Sequence, residues 1–226
     1  MSPYGHLSDF LARFLPRRRS CPSGRAKLLI LVEGRHDVAF LTGISSILHR
    51  DDRRLPDLRA WEQTGAVIFV PIGGGDVIAW TSLLAPIGLP EIHILDREMP
   101  PVTEARQQAA RIVNQRANCR AFVTGKRALE NYLHPECLLK VRGIEVEFGD
   151  DDDVPELVAR RCYEQFGAEP PWDALSGRAR KRCRERAKRW LNRDGVERMT
   201  YDRLAERDPA GDIRGWLRTA VELGEL

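Results

Sequence analysis

A continuous run of five apolar residues, Leu28 to Val32, constrains the fold of this chain more than any other feature. A strand with one solvated face alternates apolar and polar side chains, whereas a strand buried on both faces of a parallel sheet is apolar throughout. The run ends at Glu33-Gly34, and apolar residues at helical spacing follow over residues 36–49. The segment therefore predicts a fully buried strand that leads into a helix.

Strand and helix patterns alternate in the same way up to residue 124. We predict further strands at residues 66–71, 91–95 and 120–124, and further helices at residues 76–84 and 103–117. This alternation predicts an α/β fold, with a parallel sheet of about four strands flanked by helices and with ligands at the carboxyl ends of the strands. From residue 128 onward the pattern is mainly helical, which predicts a helical C-terminal extension.

The composition excludes several classes of protein. With 42% hydrophobic and 31% charged residues, the chain has enough apolar surface to form a core, which excludes a disordered protein. No apolar run reaches the roughly 18 to 20 residues that span a bilayer. The five cysteines are an odd number and form no C-x-x-C pair, so we expect reduced thiols and a cytoplasmic protein.

The patterns divide the chain into three segments. Residues 1–25 read as an amphipathic helix followed by a linker, residues 26–140 as the α/β domain, and residues 141–226 as a helical C-terminal region that contains a basic helix. We expect the first helix to cover apolar surface on the body or on a partner, and a membrane-surface or targeting role is the alternative.

Charge is strongly segregated in the C-terminal region. Residues 175–193 carry nine basic residues and one acid, whereas residues 141–174 carry three basic residues and ten acids. A helix over residues 178–193 would present a basic face that displaces counterions from a nucleic-acid backbone. A solvated helix face, or one that pairs with the preceding acidic stretch, is the alternative. We predict that nucleic acid binds the basic residues Arg178, Lys181, Arg182, Arg186 and Arg189.

Acidic residues stand at the ends of the predicted strands, where a parallel sheet places its chemistry. They are Glu33, Asp37, Asp96, Glu98 and Glu130. Converging carboxylates repel one another unless cations lie between them, and oxygen ligands in such numbers favour Mg²⁺ or Mn²⁺. Each acid taken alone is an ordinary solvated residue or a helix cap, and Asp37 and Asp76 are plausible caps. We expect the acids to be exposed and to contribute little to packing.

Four segments, in order, resemble those of a known family. The sequence LLILVEGRHD at residues 28–37 resembles the first Toprim motif, and IHILDRE at residues 92–98 resembles the Toprim D-x-D motif. PIGGGD at residues 71–76 and KRALENYL at residues 126–133 are similar to the Toprim half of OLD-like (overcoming lysogenization defect) nucleases. The resemblance covers roughly residues 26–140.

The resemblance implies a Mg²⁺- or Mn²⁺-dependent endonuclease of DNA or RNA that acts in bacterial defence against phage. It implies two ions held by the five acids, with Glu33, Asp96 and a basic residue, Lys126 or else Arg127, assisting cleavage. Glu98 departs from the motif, which has Asp at that position, and this puts the metal preference in doubt. The sequence lacks the phosphate-binding loop of the ATPase half, so we expect any ATPase or regulatory partner to be a separate chain.

Three questions remain open at this level. The alternative to a nuclease is a non-catalytic Toprim module that binds nucleic acid or a partner protein through its acids and a metal ion. A homodimer is compatible with the sequence, and the acidic loop at residues 150–153 is either solvated or a phosphate mimic.

Overall fold

A computed structural model of the chain describes residues 26–224, and in it four parallel strands form one sheet. The strands are β1 (Leu28–Val32), β2 (Val67–Pro71), β3 (Glu91–Leu95) and β4 (Cys119–Val123), in the order β2-β1-β3-β4. The predicted sheet and its α/β class are confirmed, and each strand begins and ends within one residue of its predicted bounds. The predicted helix and linker of residues 1–25 lie outside the described residues.

Helices follow each of the first three strands and make up most of the chain after the sheet. Those among the strands are α1 (Arg35–Asp51), α2 (Leu58–Thr64), α3 (Val77–Leu83) and α4 (Val102–Asn114). Those after the sheet are α5 (Pro135–Arg142), α6 (Val154–Gln165), α7 (Gly177–Trp190), α8 (Tyr201–Arg207) and α9 (Asp212–Gly224). None of the helices within residues 26–224 has the length and apolar character needed to cross a membrane.

Strand β1 is buried on both faces, as its composition predicts. Leu28, Ile30 and Val32 belong to the larger hydrophobic cluster, and Leu29 and Leu31 belong to a second cluster on the other face of the sheet. Burying an aliphatic side chain of this size contributes about 1.5–3 kcal/mol, so this strand anchors both layers.

The C-terminal helices share the larger hydrophobic cluster with the sheet. Trp190 at the end of α7 is 6% exposed, and Trp216 of α9 is 4% exposed. On α7 the apolar side chains of Ala187 and Trp190 are buried, and a π-helical turn, Leu191–Gly195, continues the helix. The helical region thus packs against the sheet and can contribute side chains to the edge where β1 and β3 end.

Candidate metal centre

Three carboxylates come together at the carboxyl edge of the sheet. Glu33 directly follows β1, and Asp96 directly follows β3. One carboxylate oxygen from each of Glu33, Asp96 and Glu98 lies within 4.8 Å of the other two. Oxygens bound to one Mg²⁺ stand roughly 2.1 Å from the ion and hence about 3–4 Å from one another. Small side-chain adjustments would therefore bring these three oxygens onto a single divalent ion.

Glu98 is held toward the other two acids by an unusual backbone conformation. Its φ angle is 55°, in the left-handed region that non-glycine residues seldom adopt. The Glu98 N–H donates to the carbonyl of Arg127 at 2.9 Å, and the Arg127 Nε lies 3.5 Å from the Glu98 Oε2. The longer side chain that replaces the Asp of the motif still reaches Glu33 and Asp96.

Asp37 borders the same cluster and also caps helix α1. Its Oδ2 accepts a hydrogen bond of 2.7 Å from the N–H of Gly34. Burial, together with the neighbouring charge of Glu130, raises the pKa of Asp37 to about 7. The cap engages one carboxylate oxygen, so Asp37 retains a second oxygen for an ion.

Glu130 enters the cluster from a short 3₁₀-helix, Leu129–Tyr132, and is 1% exposed. Its Oε1 accepts a hydrogen bond of 2.8 Å from the side-chain amide of Asn192. Its Oε2 is buried and has no hydrogen-bond partner within residues 26–224. A buried carboxylate oxygen without a donor is costly, and a bound cation would remove that cost.

Asp96 is also buried within the cluster. It is 4% exposed, and its Oδ1 accepts a hydrogen bond of 3.2 Å from the N–H of Leu129. Burial holds the pKa of Asp96 well above its usual value, and the charges of Asp37, Glu33 and Glu130 add to the shift. The expectation that the acids are exposed is wrong for Asp37, Asp96 and Glu130, because the C-terminal helices cover this edge of the sheet.

Two cations that the sequence analysis did not select border the cluster. The Lys188 Nζ of α7 lies 3.9 Å from the Glu130 Oε1, and the charges of Glu130, Asp96 and Asp37 raise the pKa of Lys188 above its usual value. The Arg106 NH2 of α4 lies 2.6 Å from the Glu33 Oε1. Nothing in the local sequence distinguishes Lys188 from the other bases of its segment, since only the tertiary fold brings it to Glu130.

Lys126, predicted to assist catalysis, faces a different neighbour. Its Nζ pairs with the carboxylate of Asp150 and lies 5.5 Å from the ring centre of Tyr132. Arg127, the alternative, pairs with Asp153 as well as approaching Glu98. In the structure the cation that the acids share is Lys188, and the catalytic role of Lys126 stays a prediction.

The acidic loop is fixed to the body of the protein. The Arg127 N–H donates to the carbonyl of Asp150 at 2.7 Å, and the Asn131 side chain donates to the carbonyl of Gly149 at 2.8 Å. Arg97 pairs with Asp151. The aspartates thus neutralise basic side chains next to the candidate site.

The predicted phosphate-binding face of α7 is exposed. Arg178, Lys181, Arg182, Arg186 and Arg189 are exposed, and none of them forms an ion pair within the part of the chain that the structure describes. The pairing with the acidic stretch is made instead by Arg184, whose NH2 lies 2.7 Å from the Asp153 Oδ2 and whose Nε lies 3.2 Å from the Glu156 Oε2. Pairing with the acidic stretch therefore applies to Arg184. The five residues predicted to bind phosphate form a basic face without ion pairs within residues 26–224.

No protein-family model matches this chain, and no curated protein matches it. Among solved structures, it is similar to the C-terminal region of the Xanthomonas campestris pv. campestris OLD protein phased with iodine. That similarity has 13% sequence identity and a TM-score of 0.48, and covers 88% of this chain and 98% of that chain. The platinum-phased structure of the same region gives 14% identity and a TM-score of 0.46, over 88% of this chain and 96% of that chain.

Proposed function

We propose that this chain is a metal-dependent nuclease that cleaves phosphodiester bonds in DNA or RNA. The observation that carries the proposal is the contrast between two buried acids at opposite ends of β3. Glu91 is fully buried but meets two donors, His93 at 2.8 Å and Arg116 at 2.6 Å. Asp96 is also buried, but beyond a hydrogen bond from the N–H of Leu129 it faces other acids rather than a paired arginine and histidine. Acids with strongly perturbed pKa values cluster at functional sites.

The donor set fits divalent cations. Glu33, Asp96 and Glu98 would hold one ion, and Asp37 and Glu130 would border a second. All the side chains offer hard carboxylate oxygens, which Mg²⁺ and Mn²⁺ prefer. When bound, such ions supply Lewis acidity and a water of lowered pKa.

The protein's own cations complete the proposed site. Lys188 lies beside Glu130 and can stabilise the negative charge that develops on a phosphate during cleavage. The exposed basic face of α7 belongs to the same helix, so it can hold the phosphate backbone on either side of the scissile bond. In the proposed nuclease Glu33 and Asp96 are the central ligands, and a role for Lys126 in assisting cleavage is part of the proposal.

The biological setting is a further part of the proposal and rests on the motif resemblance alone. A nuclease of this kind would harm its own cell without control, so we propose a separate regulatory partner, for which an ATPase is the first candidate. The role would be that of a defence effector against phage. Copurification of the tagged chain with the product of a neighbouring gene, followed by cleavage assays with and without that product, tests this part.

The activity is tested by incubating the purified chain with plasmid, single-stranded DNA and tRNA in Mg²⁺, in Mn²⁺ and in EDTA. We expect cleavage of at least one of these substrates with a divalent ion and none in EDTA. Cleavage that continues in EDTA would contradict the metal centre. Binding of nucleic acid without cleavage under every condition would favour the non-catalytic module, for which the unpaired basic face is the supporting observation.

A further inference from the structure

We infer that Arg106 is a positioning residue of the candidate metal centre, a built-in cation that holds Glu33 and compensates the acids before an ion binds. The inference rests on the proposed metal centre. Arg106 projects from α4 and is 3% exposed, and its NH2 lies 2.6 Å from the Glu33 Oε1. Arginine is rarely buried this completely unless its charge is paired.

Arg106 forms an ion pair with Glu33 but leaves most of its N–H groups without hydrogen bonds. Its Nε and NH1 are buried without hydrogen-bond partners within the described residues, and the Glu33 Oε1 has no hydrogen bond of good geometry either. Arg116 shows the alternative, since its NH1 and NH2 donate to the two oxygens of Glu91 at 2.9 and 2.6 Å. A structural arginine satisfies its N–H groups in that way. Arg106 leaves most of them unused and contributes mainly its positive charge.

Arg106 and Lys188 place positive charge at two different sides of the acid cluster. Lys188 lies at the Glu130 side of the acids, and Arg106 lies at the Glu33 side. The two cations come from different helices, α7 and α4, and meet the carboxylates from separate directions. With Arg127 beside Glu98, three basic side chains meet five carboxyl groups, so a divalent ion can still add positive charge to the cluster.

If Arg106 acts as a counter-cation, its contribution to stability depends on whether a divalent ion is bound. In the metal-free protein Arg106 offsets repulsion among Glu33, Asp96 and Glu98. A divalent ion bound to these acids would take over that compensation. The stability lost on removing the Arg106 charge must therefore be larger without the ion than with it, whereas a packing role would cost the same in both states.

The test is the thermal midpoint of four proteins, each measured in EDTA and in excess Mn²⁺. They are the wild type, Arg106→Met, Arg106→Lys and Arg111→Met, an exposed control on the same helix. We expect Mn²⁺ to raise the midpoint of Arg106→Met by several degrees more than it raises that of the wild type. Arg106→Lys keeps the charge and should show the wild-type rise, as should Arg111→Met.

The outcomes separate this inference from the proposed function. A Mn²⁺-induced rise that is equal in Arg106→Met and the wild type overturns the role of Arg106 and leaves the metal centre in place. No rise in the wild type overturns the metal centre and the inference with it. If Arg106→Met is unfolded in EDTA, circular dichroism decides, because recovery of helical signal on adding Mn²⁺ supports the inference and continued unfolding contradicts it.

Discussion

The Nζ of Lys188 lies 3.9 Å from the Oε1 of Glu130, and this contact joins the basic helix α7 to the acids at the edge of the sheet. Glu130 is also held by Asn192, which follows the same helix and donates to Oε1 at 2.8 Å. The candidate site therefore draws on both the α/β domain and the helical C-terminal region.

Replacing Lys188 by Gln should reduce cleavage by about 10²–10³-fold, the usual cost of losing one preorganised group that stabilises transition-state charge. Substrate binding should change little, since the exposed basic face of α7 remains. Initial cleavage rates at saturating substrate measure the effect, with Lys181→Gln on the exposed face as the control. Equal rates for the two variants would contradict the role of Lys188.

The exposed face of α7 should control the salt dependence of binding. In Arg182→Glu/Arg189→Glu, the slope of log affinity against log salt should fall by about 0.7 to 0.9 for each lost phosphate contact. The thermal midpoint should stay unchanged, because neither side chain forms an ion pair within residues 26–224. Arg184→Glu is the matched control, since it breaks pairs with Asp153 and Glu156 and should lower stability while keeping the slope. An unchanged slope in the double variant would exclude this face as the binding surface.

Trp190→Ala should destabilise the protein by about 3–5 kcal/mol, since Trp190 is 6% exposed and lies in the core that α7 shares with the sheet. Phe166→Ala serves as the control because Phe166 is 81% exposed, and its effect should stay within about 0.5 kcal/mol. Urea denaturation measures both values. A loss for Trp190→Ala as small as that for Phe166→Ala would show that Trp190 is not part of the hydrophobic core.

The buried Glu91 should make stability depend on pH. Burial alone would raise the pKa of Glu91, but hydrogen bonds from His93 and Arg116 outweigh it and hold the pKa below the ordinary value of 4.5. A lowered folded-state pKa contributes stability above the unfolded-state pKa, and that contribution is lost as pH falls through the folded-state value. Glu91→Gln should therefore cost about 3–5 kcal/mol at pH 7, the usual cost of removing one partner of a buried ion pair.

Urea denaturation of the wild type and Glu91→Gln between neutral and acidic pH checks this prediction. The difference in unfolding free energy should be constant at neutral pH and shrink as pH falls below 4.5. A difference that stays constant to the lowest pH at which both fold would contradict it.

The sequence predicts the sheet and the acids because both depend on local patterns. The apolar run from Leu28 to Val32 defines a buried strand without tertiary information, and Glu33 and Asp96 are found by their place directly after strands. Helix α2 was not predicted because its segment is polar. It begins where the Asp57 carboxylate accepts hydrogen bonds from the two N–H groups of Arg59 and Ala60.

Two residues of the site, Lys188 and Arg106, were not predicted from the sequence because their positions depend on contacts between distant segments. Lys188 is one of nine bases in its segment, and its spacing within that segment does not mark it. Arg106 stands on a helix with other polar residues, and the burial that distinguishes it comes from packing against the sheet. Arg106 lies three and four residues before the buried Ala109 and Ala110, so a search for bases on the apolar stripe of its helix would have selected it, but the same search would not have selected Lys188.

The central claim is that the acid cluster is a metal-dependent cleavage centre, and Asp96→Asn tests it most directly. The amide keeps the shape of the side chain and its contact with Leu129, and it removes a charge that burial and neighbouring acids disfavour. The variant should therefore fold with a thermal midpoint in EDTA at least as high as that of the wild type. The measurement is cleavage of the nucleic acid that the wild type cleaves, with Mg²⁺ or Mn²⁺ present. We predict no detectable cleavage by folded Asp96→Asn, and full cleavage by it where the wild type requires the metal would contradict the account.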